Sequence, residues 1–120
     1  MAYTKGMIGQ LYDKFGIQWF TYKEAGIHFA TLNAAANRGW LTKKNSQYQV
    51  TVRGMTFNRL EQLVGGYDFI SLRKKDQALG MMCSIDGMDI LDAWDKPYDI
   101  SDVVEYKVKG TGWRKIFPEK

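Results

Sequence analysis

A stripe of apolar side chains at helical spacing lies near the start of the chain and predicts a first helix. Its members are Met7, Ile8, Leu11, Tyr12 and Phe15. Thr4 is the predicted N-cap, and Gly16 is the predicted end of this helix. Gly6 and Gly9 each cost a helix about 1 kcal/mol relative to alanine, so packing must stabilise it. Residues 17–20 then read as a short extended segment.

Two more helices are predicted next, and a tight connection joins them. Thr21 and Glu24 have the spacing of a capping box, which begins a short second helix that runs to about Gly26. The third helix follows His28 and stops at Gly39, where a left-handed C-terminal cap belongs. Because His28 has few chemical partners around it, we interpret it as a cap or packing residue rather than a catalytic base.

The third helix has a predicted core side and a predicted exposed side. The core side consists of Leu32, Ala35 and Ala36. The exposed side consists of Ala30, Asn33, Ala34, Asn37 and Arg38. Asparagine can pair with adenine through two hydrogen bonds, and arginine can pair with guanine or phosphate. These residues are therefore candidate base contacts, although ordinary helix surface residues would give the same pattern.

Period-two alternation replaces helical spacing after Gly39 and predicts a β-hairpin. Trp40 and Leu41 resume as an extended apolar pair, residues 43–46 supply a polar turn, and residues 48–53 alternate. Lys43, Lys44, Asn45, Ser46 and Gln47 cluster at the predicted tip. Such a tip can follow a phosphate backbone, but lysines at hairpin tips also serve simply to keep strand edges soluble. A closing helix with Phe57, Leu60 and Val64 on one face comes next.

Gly65 and Gly66 form a natural boundary, so we predict one domain over 1–66 and a small β domain or extension over 67–120. Five strands are expected, over residues 67–72, 79–85, 88–94, 103–109 and 113–117. The dipeptide Asp86-Gly87 is a strong hairpin signal. The expected arrangement is an antiparallel meander, barrel-like or half-open. A helix over Asp89 to Asp95 is the competing interpretation of that segment.

The composition of the chain and the absence of catalytic motifs argue against several classes of protein. The chain has 120 residues, 45% of them hydrophobic, and no apolar run approaches the roughly 18 residues of a membrane helix. We therefore expect a soluble, cytoplasmic protein without a membrane partner. Cys83 is the only cysteine and His28 the only histidine, which argues against disulfides, metal sites and cofactors. Since no catalytic signature such as G-x-S-x-G or H-E-x-x-H occurs, we do not expect an enzyme.

Charge is shared unevenly between the two halves. Residues 1–66 hold eight basic and three acidic side chains, whereas the remaining residues hold nine basic and ten acidic ones. The predicted helical domain thus carries the whole positive excess, as a phosphate-binding module would. An excess that serves only solubility remains the alternative.

The order of these pieces resembles the winged helix-turn-helix family over about residues 4–64. Two closely spaced helices, a basic hairpin and a closing helix opened by T-x-x-G at Thr51 to Gly54 carry the resemblance. It implies an α+β fold, a third helix that enters a groove of double-stranded DNA, and a wing that contacts phosphates. The candidate DNA-binding residues are Asn33, Asn37, Arg38, Lys43, Lys44, Asn45, Gln47 and Arg53. We expect a transcriptional regulator whose C-terminal sheet serves dimerisation or partner contact.

Acidic residues recur in the second half and support a different class of function. Residues 84–105 contain seven acidic side chains, and Lys96 is the single basic residue among them. Three interpretations of these acids are open: a solvated face, a surface that docks onto a basic partner, and an imitation of DNA phosphates. The series N-A-A-A-N-R-G-W-L-T also resembles small phage-encoded winged-helix inhibitors of host machinery. In that alternative the partner-binding residues are Asp86, Asp89, Asp92 and Asp95.

Overall fold

The computed structural model describes residues 3–118, which form an α+β protein. Within those residues there are four helices and two antiparallel sheets. The chain divides after Asn58 into two compact units, here unit 1 and unit 2. The boundary predicted at Gly65-Gly66 lies several residues later, beyond the end of a helix. None of the described helices has the length and apolar character needed to cross a membrane.

Unit 1 contains three helices, a two-stranded hairpin and the first half of a fourth helix. The elements are α1 (Met7–Phe15), α2 (Tyr22–Ala25), α3 (Phe29–Asn37), β1 (Leu41–Lys44), β2 (Gln47–Val50) and α4 (Val52–Val64). Helix α1 buries Met7, Ile8 and Leu11 of its predicted stripe, whereas Phe15 is half-buried and Tyr12 is exposed. Its start differs from the prediction, because Gly6 rather than Thr4 is the N-cap, and the left-handed backbone of Gly6 at φ 87° turns the chain into the helix.

The signals that begin and end α2 and α3 act as predicted. In the capping box, Glu24 N donates to Thr21 Oγ1 over 3.2 Å and Thr21 N donates to Glu24 Oε1 over 3.0 Å. His28 caps α3, since its Nδ1 accepts from Ala30 N at 3.0 Å. At the other end Gly39 adopts φ 86°, and the backbone N–H of Trp40 donates to the Ala35 carbonyl at 3.0 Å. This is a Schellman ending, which needs a residue that tolerates left-handed backbone.

The hairpin after α3 has a tighter turn than predicted. Strand register runs from Leu41 opposite Val50 to Lys44 opposite Gln47, so the turn consists of Asn45 and Ser46 alone. Both turn residues have positive φ, which suits a two-residue hairpin. Lys43 and Lys44 therefore belong to β1, because continuing the ladder satisfies their backbone groups. Phe20 exchanges two hydrogen bonds of 2.8 Å with Tyr48, so the extended segment 17–20 joins this sheet at one residue.

Helix α4 begins with the motif T-x-x-G, and both named residues have a structural role. Thr51 Oγ1 accepts from Gly54 N at 2.9 Å, which caps the helix, and the hydroxyl donates to the Gly39 carbonyl at 2.6 Å. A Cβ at Gly54 would lie 2.1 Å from the carbonyl oxygen of Trp40. The glycine therefore allows the first turn of α4 to approach the backbone that follows α3.

Unit 2 contains the second half of α4 and one five-stranded antiparallel sheet. Its strands are β3 (Ile70–Lys74), β4 (Met81–Asp86), β5 (Asp89–Leu91), β6 (Val103–Lys107) and β7 (Arg114–Lys115), in the spatial order β5-β4-β3-β6-β7. The number of strands is as predicted, and the predicted hairpin forms, but Asp86 pairs with Asp89, so its two-residue turn is Gly87-Met88 rather than Asp86-Gly87. The meander order is wrong, because β6 pairs with β3 rather than with β5. Within the described residues β5 and β7 are edges, so the sheet is open rather than closed on itself.

The helix considered for residues 89–95 does not form. Asp89–Leu91 pairs with β4, and the chain then turns. One carboxylate oxygen of Asp92 accepts from Trp94 N at 2.9 Å and from Lys96 N at 3.1 Å. This local side-chain bonding competes with helix formation and explains why helical spacing at these positions was misleading.

The sheet of unit 2 has one buried face and one outward face. Ile70, Leu72, Cys83 and Tyr106 alternate onto the buried face. Because side chains alternate along a strand, Ser71 and Arg73 point the other way. Met82 and Lys107, which pair with Ser71, and Glu105, which pairs with Arg73, share that outward face.

Candidate nucleic-acid interface

A shallow groove of about 500 Å³ lies between α3 and β1 in unit 1. Its lining consists of Asn33, Ala36, Asn37, Leu41, Thr42 and Lys43. The small Ala36 side chain and the C-terminal turn of α3 form one wall, and the start of the hairpin forms the other. The groove brings together three of the eight residues that the sequence singled out, namely Asn33, Asn37 and Lys43.

Asn33 is held by a buried tyrosine. The Tyr48 hydroxyl donates to Asn33 Oδ1 over 2.5 Å, and Tyr48 itself is almost fully buried in the hairpin. An amide side chain offers two acceptor positions on oxygen and two N–H donors, so this bond fixes its orientation and uses only one position. Asn33 is therefore half-buried and oriented, rather than on the freely exposed side of the helix as predicted. Asn37, one turn later, is exposed.

Arg38 and Arg53 both lie near the C-terminal end of α3. Arg38 is half-buried, and its Nη1 donates to the Ala34 carbonyl over 2.8 Å. Arg53 passes beside Gly39, where a Cβ would lie 2.8 Å from Arg53 Nη1. Positive charge at the C-terminal end of a helix is favourable because the carbonyls there are partly negative. These two arginines therefore stabilise the end of the helix, and neither lines the groove.

The two lysines of β1 point to opposite faces of the hairpin. Lys43 pairs with Tyr48 in the register, and its Nζ lies 5.7 Å from the centre of the Tyr48 ring. Lys44 pairs with Gln47 and lies on the other face. Both lysines are exposed, as are Asn45 at the tip and Gln47. The hairpin thus presents one cation beside the groove and a second cation with polar partners on its far side.

Sequence reasoning missed Thr42 and Tyr48 as parts of this site. Thr42 lines the groove from β1, but nothing in its surroundings along the chain distinguishes it from other strand residues. Tyr48 orients Asn33, which lies 15 residues earlier. The alternation of apolar and polar residues over 48–53 indicates that Tyr48 faces inward. It does not indicate which polar group the hydroxyl would meet.

The aspartates proposed for a partner surface differ in their surroundings. Asp86 and Asp89 lie opposite each other at the β4–β5 hairpin. Asp92 accepts the two backbone hydrogen bonds of the following turn, and Asp95 lies in that turn with φ 59°. Local turn formation thus accounts for two of the four acids. Beside them, Trp94 is 70% exposed.

Cys83 lies near this turn in the buried face of the sheet. Burial raises the pKa of the Cys83 thiol to about 12, and the negative charge of Asp92 acts in the same direction. A thiol is a poor nucleophile while it stays protonated, and Cys83 is 1% exposed within the apolar face of the sheet, where it packs against its neighbours. Among residues 3–118 there is no group of three or more acidic, histidine or cysteine side chains arranged to hold a metal ion.

Comparison with known proteins gave no relative from which a function could be carried over. No protein family model matches the chain, and no curated protein or solved structure is significantly similar to it.

Proposed function

We propose that this chain is a small DNA-binding protein of the winged helix-turn-helix type that acts as a transcriptional regulator. The groove between α3 and β1 carries the proposal, because it brings Asn33, Asn37 and Lys43 to one surface. Two of these side chains have the donor and acceptor pattern that reads adenine, and the third has the charge that binds phosphate.

The arrangement of elements around the groove supports this proposal. A capped four-residue helix leads through a short connection into α3, and the Schellman ending sends the chain directly into β1. Phe20 adds a third short strand to the hairpin, and α4 begins immediately after β2. This is the order of helices, wing and closing helix in the family that the sequence resembles.

The residues have different proposed roles. Asn37, exposed on the last turn of α3, reads a base edge, and Asn33 contributes an amide that Tyr48 holds in place. Lys43 and Lys44 bind phosphates on either side of the hairpin, with Asn45 and Gln47 as further polar contacts. Arg38 and Arg53 act indirectly by stabilising the end of α3.

The experiment is a titration of the full chain with random duplex DNA over a range of salt concentrations. Replacing Lys43 and Lys44 by alanine should weaken binding to every sequence. The slope of log affinity against log salt should fall by up to about 0.9 for each lost phosphate contact. The matched control replaces Lys75 and Lys96, two exposed lysines of unit 2, and should leave the slope unchanged. If the slope of log affinity against log salt is the same in both double variants, the hairpin is not part of the DNA interface.

Base reading needs a second measurement, made on a site selected from random duplexes. Asn37→Ala should reduce the preference for that site by about 1–3 kcal/mol while leaving binding to random DNA nearly intact. If selection enriches no site and the wild-type chain binds duplexes only weakly, the regulator proposal fails.

A protein-binding function is the second candidate, and the exposed Trp94 favours it. Aromatic anchors beside charged residues are common at protein interfaces, and Trp94 comes soon after Asp89 and Asp92 in the chain. In this proposal the chain inhibits a basic partner through Asp86, Asp89, Asp92 and Asp95. Asp86→Lys and Trp94→Ala should then abolish capture of one defined partner from an extract, whereas Asn37→Ala should not affect it.

A further inference from the structure

A second groove lies on the outward face of the sheet in unit 2. Ser71 pairs with Met82 on one side and with Lys107 on the other, so these three side chains form a row across three strands. The short serine between two long side chains makes the floor of a groove of about 430 Å³. Phe69, two residues before Ser71, and the turn at 109–111 complete its walls.

Apolar groups are unusually exposed around this groove. Phe69 is 64% exposed and Met82 is 54% exposed, although both flank a folded sheet. Large apolar side chains exposed together are characteristic of binding surfaces. The exposed Phe69 ring also offers a flat face on which another planar group can stack.

Trp113 is fixed on the same face of the sheet. Its indole packs against Gly80. A Cβ at this position would be 2.3 Å from Cη2, so the ring can lie there only because residue 80 has no side chain. The guanidinium of Arg73 lies 4.3 Å from the centre of this ring, and Lys107 Nζ lies 5.2 Å from it. Trp113 therefore holds two cations on the outward face of the sheet.

The charge of this face is positive although unit 2 as a whole is rich in acidic residues. Arg73 forms a salt bridge of 2.8 Å with Glu105, its cross-strand neighbour, so those two charges compensate each other. Lys107 and Lys109 both line the groove, and no acidic side chain of the described residues lines it. The two lysines therefore favour an anionic ligand.

We propose that the outward face of this sheet binds single-stranded nucleic acid, in addition to the duplex binding proposed for unit 1. Lysines beside an exposed aromatic ring match a chain of phosphates with unpaired bases, since each base has a face that can stack. A duplex does not fit this description, because its bases are already stacked on each other. The hydroxyl of Ser71 on the lining is an additional hydrogen-bonding group.

The test measures the anisotropy of a labelled single-stranded oligonucleotide of about 12 nucleotides, titrated with the full chain. Phe69→Ala should weaken binding by about fivefold or more, because a lost base–aromatic stack is worth that much. The matched control is Phe117→Ala, which removes a comparably exposed phenylalanine ring that does not line the groove and should leave affinity unchanged.

Charge is tested with a pair of double variants. Lys107→Ala with Lys109→Ala should reduce the slope of log affinity against log salt by up to about 1.4, the value for two contacts to a single strand. Lys75→Ala with Lys96→Ala removes two exposed lysines of unit 2 that do not line the groove, changes the net charge equally and should leave single-strand binding intact. Far-ultraviolet circular dichroism checks that each variant is folded.

Three outcomes would overturn the proposal. Equal losses in the two lysine pairs would mean that net charge, not this groove, determines binding. If Phe69→Ala has no effect and inorganic polyphosphate competes as well as the oligonucleotide, the site binds anions without recognising bases. If Phe69→Ala instead dissociates a dimer in gel filtration, a second copy of the chain occupies the face. Duplex titrations with the Lys43/Lys44 variant report on unit 1 separately, so either proposal can fail alone.

Discussion

At the scale of single residues, Gly9 of α1 packs against the side chain of Asn58 and leaves no room for a methyl group. A Cβ at Gly9 would lie 2.7 Å from both polar atoms of the Asn58 amide. Asn58 is only 8% exposed, and its Oδ1 is buried without a hydrogen-bond partner in the described part of the chain. Glycine is thus required in the first turn of α1 because a buried amide on α4 occupies the space of a methyl group.

A double-mutant cycle tests this contact. Gly9→Ala alone should destabilise the protein by about 1–3 kcal/mol, since overpacking outweighs the better helix propensity of alanine. With Asn58→Ala the space is free, and Gly9→Ala should then stabilise by about 0.5–1 kcal/mol through helix propensity. Urea denaturation measures both effects. If the two substitutions are additive, the contact does not explain the glycine.

Residue-scale signals were predictable where they act over a few positions. The Thr21–Glu24 capping box, the His28 cap and the Gly39 ending all depend on neighbours within five residues, and all form. Asn33 could not be predicted in the same way, because its partner Tyr48 is distant in the sequence. Local pattern gives the face of a helix but not the hydrogen-bond partner that covers part of that face.

At the scale of elements, α4 depends on its N-terminal cap. Thr51→Ala removes the acceptor for Gly54 N and the donor to the Gly39 carbonyl, so we expect a loss of about 1–2 kcal/mol in the free energy of unfolding. Thr51→Ser keeps the hydroxyl and should retain most of the stability. Equal losses for the alanine and serine variants in urea denaturation would show that the methyl group, not the cap, matters.

The order of the strands in the sheet of unit 2 was not predictable from the sequence pattern. The two-residue turn at Gly87-Met88 makes β4 and β5 neighbours, as the dipeptide Asp86-Gly87 predicted. The position of β6 depends on the route of residues 92–102, which carries the chain back to the free side of β3. Several routes have the same alternation of apolar and polar residues, so the sequence pattern predicted five strands without predicting their order.

At the scale of the whole molecule, a fragment of residues 1–66 tests the predicted first domain. That fragment keeps the complete α4 and the buried residues of unit 1, including Leu11, Leu32 and Phe57. We expect it to unfold cooperatively in thermal circular dichroism. The comparison fragment 1–58 cuts α4 in its middle and should be less helical and less stable. A 1–66 fragment that melts without a transition would contradict an independent first domain.

Helix α4 has a further consequence because it is continuous through the point where the two units divide. Proteases cut at exposed, irregular segments, and the peptide bond between Asn58 and Arg59 is neither, since it lies in regular helix. The nearest run of exposed residues outside the helix is 65–69. Limited proteolysis would therefore release unit 1 with all of α4 attached. A gene fusion that transfers unit 1 to another protein would also have to include the whole of α4, because no linker separates Asn58 from Arg59.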